Sequence, residues 1–225
     1  MIVDSWGAKS IYFSENVFEK KIMIQRDSEK ITQILNGGVI NAKDLQVYLW
    51  NGREEVIIND FSQQTYKHYM LAAVNYYYTE KIQYPNWHLI EEQQIINGLQ
   101  CQKATCYFGG RNYTAWFTNE IPISTGPWKL HGLPGAIVRV YDSQEYFTYE
   151  LIKNELFEIS EEKIQSYHIL FRGINEKNVS KKFFFELLKE EFEDISAFNR
   201  RHGLGIEKSA NTINKPKYYN PQEFE

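Results

Sequence analysis

From residue 44 to residue 151 apolar and polar side chains alternate with a period of two, the pattern of half-buried strands. Leu45, Val47 and Leu49 alternate against Gln46, Tyr48 and Trp50, and Asn51-Gly52 supplies a tight hairpin turn to a return strand carrying Val56 and Ile58. Thr65 to Tyr69 and Val74 to Thr79 continue the pattern, with Tyr76, Tyr77 and Tyr78 sending rings to both faces. Trp87 to Ile96 turns at Asn97-Gly98 into Leu99 to Phe108, which turns at Gly109-Gly110 into Arg111 to Thr118. On that last strand Tyr113, Ala115 and Phe117 share one face, and Thr114, Trp116 and Thr118 the other. Further along, Ala136, Val138 and Val140 oppose Ile137, Arg139 and Tyr141. After a turn at 142–145, Phe147, Tyr149 and Leu151 point inward, with Thr148 and Glu150 outward.

Helical periodicity flanks this region. Lys9 to Ser14 reads as a short strand, and Ser14 then caps a helix with Glu15 in its first turn and Phe18 and Ile22 on its apolar side. A second short helix with Ile31, Ile34 and Leu35 ends at Asn36-Gly37-Gly38, where Gly37 is the C-cap candidate. Ser160 to Phe171 fits either a capped helix or an edge strand. From Ser180 to Ile195, Phe184, Leu187, Leu188 and Ile195 form one helical stripe against Lys181, Glu190 and Glu193.

The expected fold is therefore mainly β with an α+β character: a curved antiparallel meander sheet, half-barrel-like, of about eight strands with one or two helices packed on its concave side. No helix separates the strands, so parallel βαβ architecture is not expected. Residues 1–198 form a single β-rich domain, and 199–225 a polar C-terminal tail with Gly, Asn and two prolines.

One interruption of the meander is long. The 16-residue connection from Asn119 to Pro134 holds three of the six prolines, Pro122, Pro127 and Pro134, together with Gly126, Trp128 and Gly132. Connections of this length inside a compact domain are uncommon and are usually functional or closely packed. Tyr113, Trp116 and Trp128 are the candidates to line an apolar groove, or else to plug a core beneath the loop. Leu133 and Pro134 are the candidates to meet a partner at its tip. Gly126, Gly132 and Gly135 are expected to permit backbone turns. Lys129 and Arg139 are expected to pair with Glu120 or Asp142 at the surface, where such pairs contribute little.

Catalytic signals are weak. The loop contains Glu120, Ser124 and His131, but no G-x-S-x-G elbow, H-E-x-x-H helix or S-x-x-K motif accompanies them. The histidines at 68, 88, 131, 168 and 202 include no i, i+4 pair, so no metal site is expected. Cys101 and Cys106 are five apart, which on one strand puts them on opposite faces, where they cannot bridge. Neither a catalytic residue, a metal nor a cofactor is assigned.

Composition changes the picture in three ways. Aromatics are 16% of the chain, with 16 Tyr, 14 Phe and 5 Trp, which suits strands and sites with one wet end. A formal net charge of −4 and the absence of a basic stripe argue against nucleic-acid binding. There is no apolar run of about 18 residues, so no transmembrane helix is expected, and Met1 to Trp6 lacks the n-region and h-region of a signal peptide.

The chain from Lys9 onward resembles the GLPGLI family of Bacteroidota envelope proteins. The likeness is carried by Gly98-Leu99-Gln100-Cys101-Gln102-Lys103-Ala104, Tyr113 to Thr118, Glu120 to Ser124, Gly126-Pro127-Trp128-Lys129 and the loop Gly132-Leu133-Pro134-Gly135-Ala136-Ile137. The ending Asn220-Pro221-Gln222-Glu223 is similar as well, while Ala136 departs from the leucine of the family name. Members usually carry an export signal, so the resemblance implies a periplasmic or outer-membrane-associated location and a trimmed chain here. It implies no activity, since the family has none established. At fold level the meander looks similar to lipoprotein-carrier half-barrels, an analogy that does not fix function.

Three functions are thus in view. The first is a non-enzymatic envelope binding protein that holds an apolar, lipophilic ligand in the curved sheet or docks a partner through the Gly-Leu-Pro-Gly loop. The second is a hydrolase or peptide-processing factor that brings Glu120, Ser124 and His131 together. The third is a structural partner of an outer-membrane transport or secretion complex, which requires an exposed apolar patch near Trp128 and Leu133.

Overall fold

A computed structural model describes residues 1–27, 55–71, 75–156, 158, 160–171 and 175–194. Among the described residues the chain is mainly β with three short helices, and its eleven described strands divide between two open sheets. The first sheet contains β1 (Ile2–Trp6), β2 (Lys9–Phe13), β3 (Glu55–Asp60), β4 (Thr65–Met70), β5 (Asn75–Lys81) and β11 (Glu176–Asn178), in the order 1-2-3-4-5-11. The second contains β6 (His88–Ile96), β7 (Leu99–Phe108), β8 (Arg111–Thr118), β9 (Ala136–Asp142) and β10 (Thr148–Glu150), in the order 10-9-8-7-6. Neighbours pair antiparallel throughout, except that β11 joins β5 in parallel.

Two sheets replace the single sheet that periodicity suggests, because the segment between β5 and β6, residues 82–87, is not strand. Ile82 and Pro85 there are buried. Alternation reports which residues share a face but not whether the next strand pairs with the last.

The main core lies between the sheets. From the first come Tyr12, Ile57, Tyr66, Met70, Tyr76 and Tyr78; from the second, Ala104, Cys106, Tyr113, Ala115, Phe117, Ile137 and Val140. The helix α3 (Lys181–Glu193) adds Phe184, Phe185, Leu187 and Leu188, and the connecting loop adds Trp128, Leu130 and Leu133. Ser180 caps α3 by accepting the Phe183 N–H. The opposite face of the first sheet carries a second cluster, where α1 (Glu15–Arg26), α2 (Glu161–Tyr167) and a 3-10 turn (His168–Leu170) supply Val17, Tyr167 and Leu170 against Ile11, Phe13, Val56 and Tyr69. Ser160 is the N-cap of α2, accepting from the Lys163 N–H, which resolves the 160–171 segment as helix.

Some faces depart from simple alternation. Val138 faces the outer side of the second sheet while Ile137 and Val140 face the core, because a bulge shifts the β8–β9 register between Trp116 and Phe117. Tyr149 packs inward as expected, but Leu151, beyond the strand end, packs on the outer cluster. Ile22 on α1 is exposed, while among the described side chains of that helix Val17 and Phe18 pack on the second cluster. The expected helix at 31–35, the Asn51-Gly52 hairpin, Ile195 and the tail 199–225 lie outside the described residues.

Candidate functional site

The loop between β8 and β9 is held down on every side. Ala136 donates to the Ile121 carbonyl, Ile137 to that of Thr125 and Leu130 to that of Pro127. The Ser124 hydroxyl accepts the Gly132 N–H at 3.0 Å, and the Trp87 indole donates to the His131 carbonyl at 3.0 Å. Two glycines are required by space. A Cβ on Gly135 would lie 1.9 Å from the Thr118 carbonyl oxygen, and one on Gly126 would lie 2.1 Å from that of Leu130. Gly132, with φ of +98°, is the loop glycine whose role is conformational.

The five candidate residues do not form one groove. Tyr113, Trp128 and Leu133 are buried in the core between the sheets, with the Tyr113 and Trp128 rings 6.5 Å apart. Trp116 is on the opposite face of β8, packed with Cys101 and Val138 beneath the Lys103 ammonium, 5.5 Å from its ring. Pro134 is exposed. Trp128 and Leu133 are each 2% exposed, so neither can contribute to an apolar docking patch on the loop. Their bulk makes them core plugs, which is also what lets a 16-residue connection be ordered.

Nor do the three polar loop residues converge. Glu120 accepts the Gln100 N–H at 2.7 Å, and Ser124 is engaged by Gly132. His131 is buried between Phe61 and Tyr84, with ring centroids 5.6 and 5.0 Å away, and its Nε2 has no hydrogen-bond partner among the described residues. Burial pulls its pKa down to about 4, against a smaller opposing effect of a hydrogen bond to the Lys129 backbone. Burial likewise pushes the Cys106 thiol up to about 12 and raises that of Cys101, so neither is primed as a nucleophile. They are free and lie on opposite faces of β7. Among the described residues no group of three or more His, Cys, Asp or Glu is placed to hold a metal, and no helix is long and apolar enough to cross a membrane.

The polar feature that periodicity did not reveal is Lys129. Its ammonium is buried in a box of three rings, 4.6 Å from the centre of Tyr66, 5.5 Å from Tyr78 and 5.2 Å from Trp128, and it donates to the Tyr78 hydroxyl at 2.9 Å. That hydroxyl meets His68 Nδ1 at 3.2 Å, and His68 Nε2 meets the Glu55 carboxylate at 3.0 Å. Tyr66 in turn donates to Glu80, which pairs with Lys181 at 3.2 Å. Alternation along β4 and β5 does put Tyr66, His68 and Tyr78 on one face. Nothing in it brings the loop lysine to them. Arg139 pairs loosely with Glu150 at 3.9 Å, and Asp142 is taken by Arg111 at 3.0 Å in a buried pair.

These features define a two-sheet β protein whose long connection is a packed strut between the sheets. A family model described as "Protein of unknown function (Porph_ging)" matches residues 109–139, which take in β8, the connection and the first part of β9. The comparison with curated proteins gives no match. Two crystal forms of PNGF-II, in space groups P21 and C2, are similar in fold at 13% and 12% identity, each with a TM-score of 0.48. The alignments cover 82% of this chain and 28% of PNGF-II.

Proposed function

We propose that this chain is a non-catalytic binding protein of the cell envelope, of the GLPGLI type, whose working surface is the free β6 edge of the second sheet and not the loop. The observation that carries the reading is the placement of exposed apolar side chains. Leu89 and Ile95, on the edge strand β6, are 51% and 77% exposed. The loop's largest apolar side chains, Trp128, Leu130 and Leu133, are spent on the core. The loop is then a strut that fixes the sheet from which a partner is met.

Photo-crosslinking in cells tests this. A photoreactive residue at Ile95 is expected to give a discrete adduct in the envelope fraction, and one at Pro134 none. An adduct from Pro134 alone returns the function to the loop. Native mass spectrometry of the purified protein is expected to give the bare chain mass; a retained lipophilic mass moves the reading to an apolar ligand between the sheets.

A further inference from the structure

We infer that the β6 edge accepts an extended, basic strand from a partner protein by sheet addition, a proposal that rests on the binding reading above. In the sheet order β6 is terminal, and among the described residues no strand pairs with its outer side. Two-residue turns such as Asn97-Gly98 are closed by a pair that exchanges both hydrogen bonds. Ile96 and Gln94 therefore bond to β7, and Gln93 and Ile95 direct their N–H and C=O groups outward. Leu89 opposes Ala104 and Ile95 opposes Gln100, four residues apart on β7, so the two exposed apolar side chains share one face.

Between them Glu91 and Glu92 form a bulge, with the register passing from Ile90 to Gln93. The bulge is pinned: the Lys103 ammonium donates to Glu92 at 2.6 Å, and the Gln102 amide donates to the Ile90 carbonyl at 3.3 Å. Glu91 is exposed and has no ion pair among the described residues. β6 has no lysine or arginine of its own, although lysine is the common guard of a free edge.

This charge pattern chooses the occupant. Full-length antiparallel pairing of two β6 edges would centre near Glu92 and bring four carboxylates together, so a second copy is disfavoured. A strand with an apolar residue near Ile95 and a lysine or arginine reaching Glu91 satisfies both the backbone and the charge.

The probe is a blocked pentapeptide of alternating valine and threonine ending in lysine, compared with its glutamate-ended twin. The lysine peptide is expected to bind at least about tenfold tighter, with the gap closing as salt rises. Amide-exchange protection should be confined to Gln93 and Ile95. Ile95→Pro removes an outward N–H and should abolish binding, while Glu91→Lys should reverse the preference without touching the backbone. Equal binding of the two peptides, or binding that leaves Gln93 and Ile95 unprotected, overturns the inference. So does a concentration-dependent dimer that Ile95→Pro dissolves. If the Ile95 crosslink survives while the peptides fail, only this inference falls; if the crosslink is absent too, the binding reading falls with it.

Discussion

The Lys129 ammonium lies 2.9 Å from the Tyr78 hydroxyl, and both residues are 2% exposed. One belongs to the loop that leaves the second sheet and the other to β5 of the first, so this bond ties the sheets through polar chemistry inside an apolar core. A hydrogen bond to a buried charge is worth about 1.5–3 kcal/mol, more than a neutral pair. Tyr78→Phe should therefore destabilise the fold by about 2 kcal/mol in urea unfolding, since it also takes a partner from His68. Lys129→Ala should cost more, about 3 kcal/mol, because ring contacts and volume are lost together. A Tyr78→Phe variant as stable as the parent would show that the bond contributes nothing net.

His131 gives stability a pH dependence of known sign. Burial holds its folded-state pKa at about 4, below the ordinary 6.5, so the unfolded chain binds more protons between those values. The stability that neutral His131 supplies is complete above about pH 6.5 and is lost as pH falls through 4. The full loss is about 3 kcal/mol. His131→Leu should flatten this part of the stability curve, measured by chemical unfolding at steps from pH 7 to pH 4. An unchanged slope in the variant would assign the loss to other groups.

Much of the sheet was legible because side-chain direction in a strand follows from sequence parity alone. The turns at Asn97-Gly98 and Gly109-Gly110 are where the residues put them, each pair in the positive-φ region that tight hairpins need. Parity also puts Tyr113 and Trp116 on opposite faces, and the structure shows that the shared groove expected of them conflicts with it. What parity cannot supply is distance between strands that are not neighbours. The split into two sheets and the seat of Lys129 between Tyr66 and Tyr78 depend on it, and the bulge that turns Val138 outward is a register shift between neighbours that alternation does not report either. A lysine in a loop is ordinarily solvated, and only the three-dimensional closure of the aromatic box makes this one internal.

The loop glycines separate cost of space from cost of conformation. Gly135→Ala would force a Cβ to within 1.9 Å of the Thr118 backbone oxygen, a clash relieved only by moving the strand end. The expected loss is about 3 kcal/mol, the upper range for overpacking. Gly98→Ala meets nothing within 4 Å and carries only the strain of φ at +80°, about 1 kcal/mol. Thermal unfolding of the two variants should rank Gly135→Ala well below Gly98→Ala. The reverse order would mean that the β8 end yields easily and that the loop is not a rigid strut.

Arg111 and Asp142 close the other end of the β8–β9 pair. Their side chains are 4% and 1% exposed and meet at 3.0 Å, while the second Asp142 oxygen accepts the Phe147 N–H at 2.9 Å. The guanidinium also lies over the Phe147 ring, 4.9 Å from its centre. Removing one partner of a buried ion pair leaves the other charge desolvated, which costs about 3–5 kcal/mol. Asp142→Asn should fall near the lower end of that range, because an amide oxygen can still accept from Phe147. Arg111→Met combined with Asp142→Asn should then cost less than the sum of the singles, a coupling that a double-mutant cycle reads directly. Additive losses would mean that the two residues act separately, with Arg111 held by its ring contact and Asp142 by the turn.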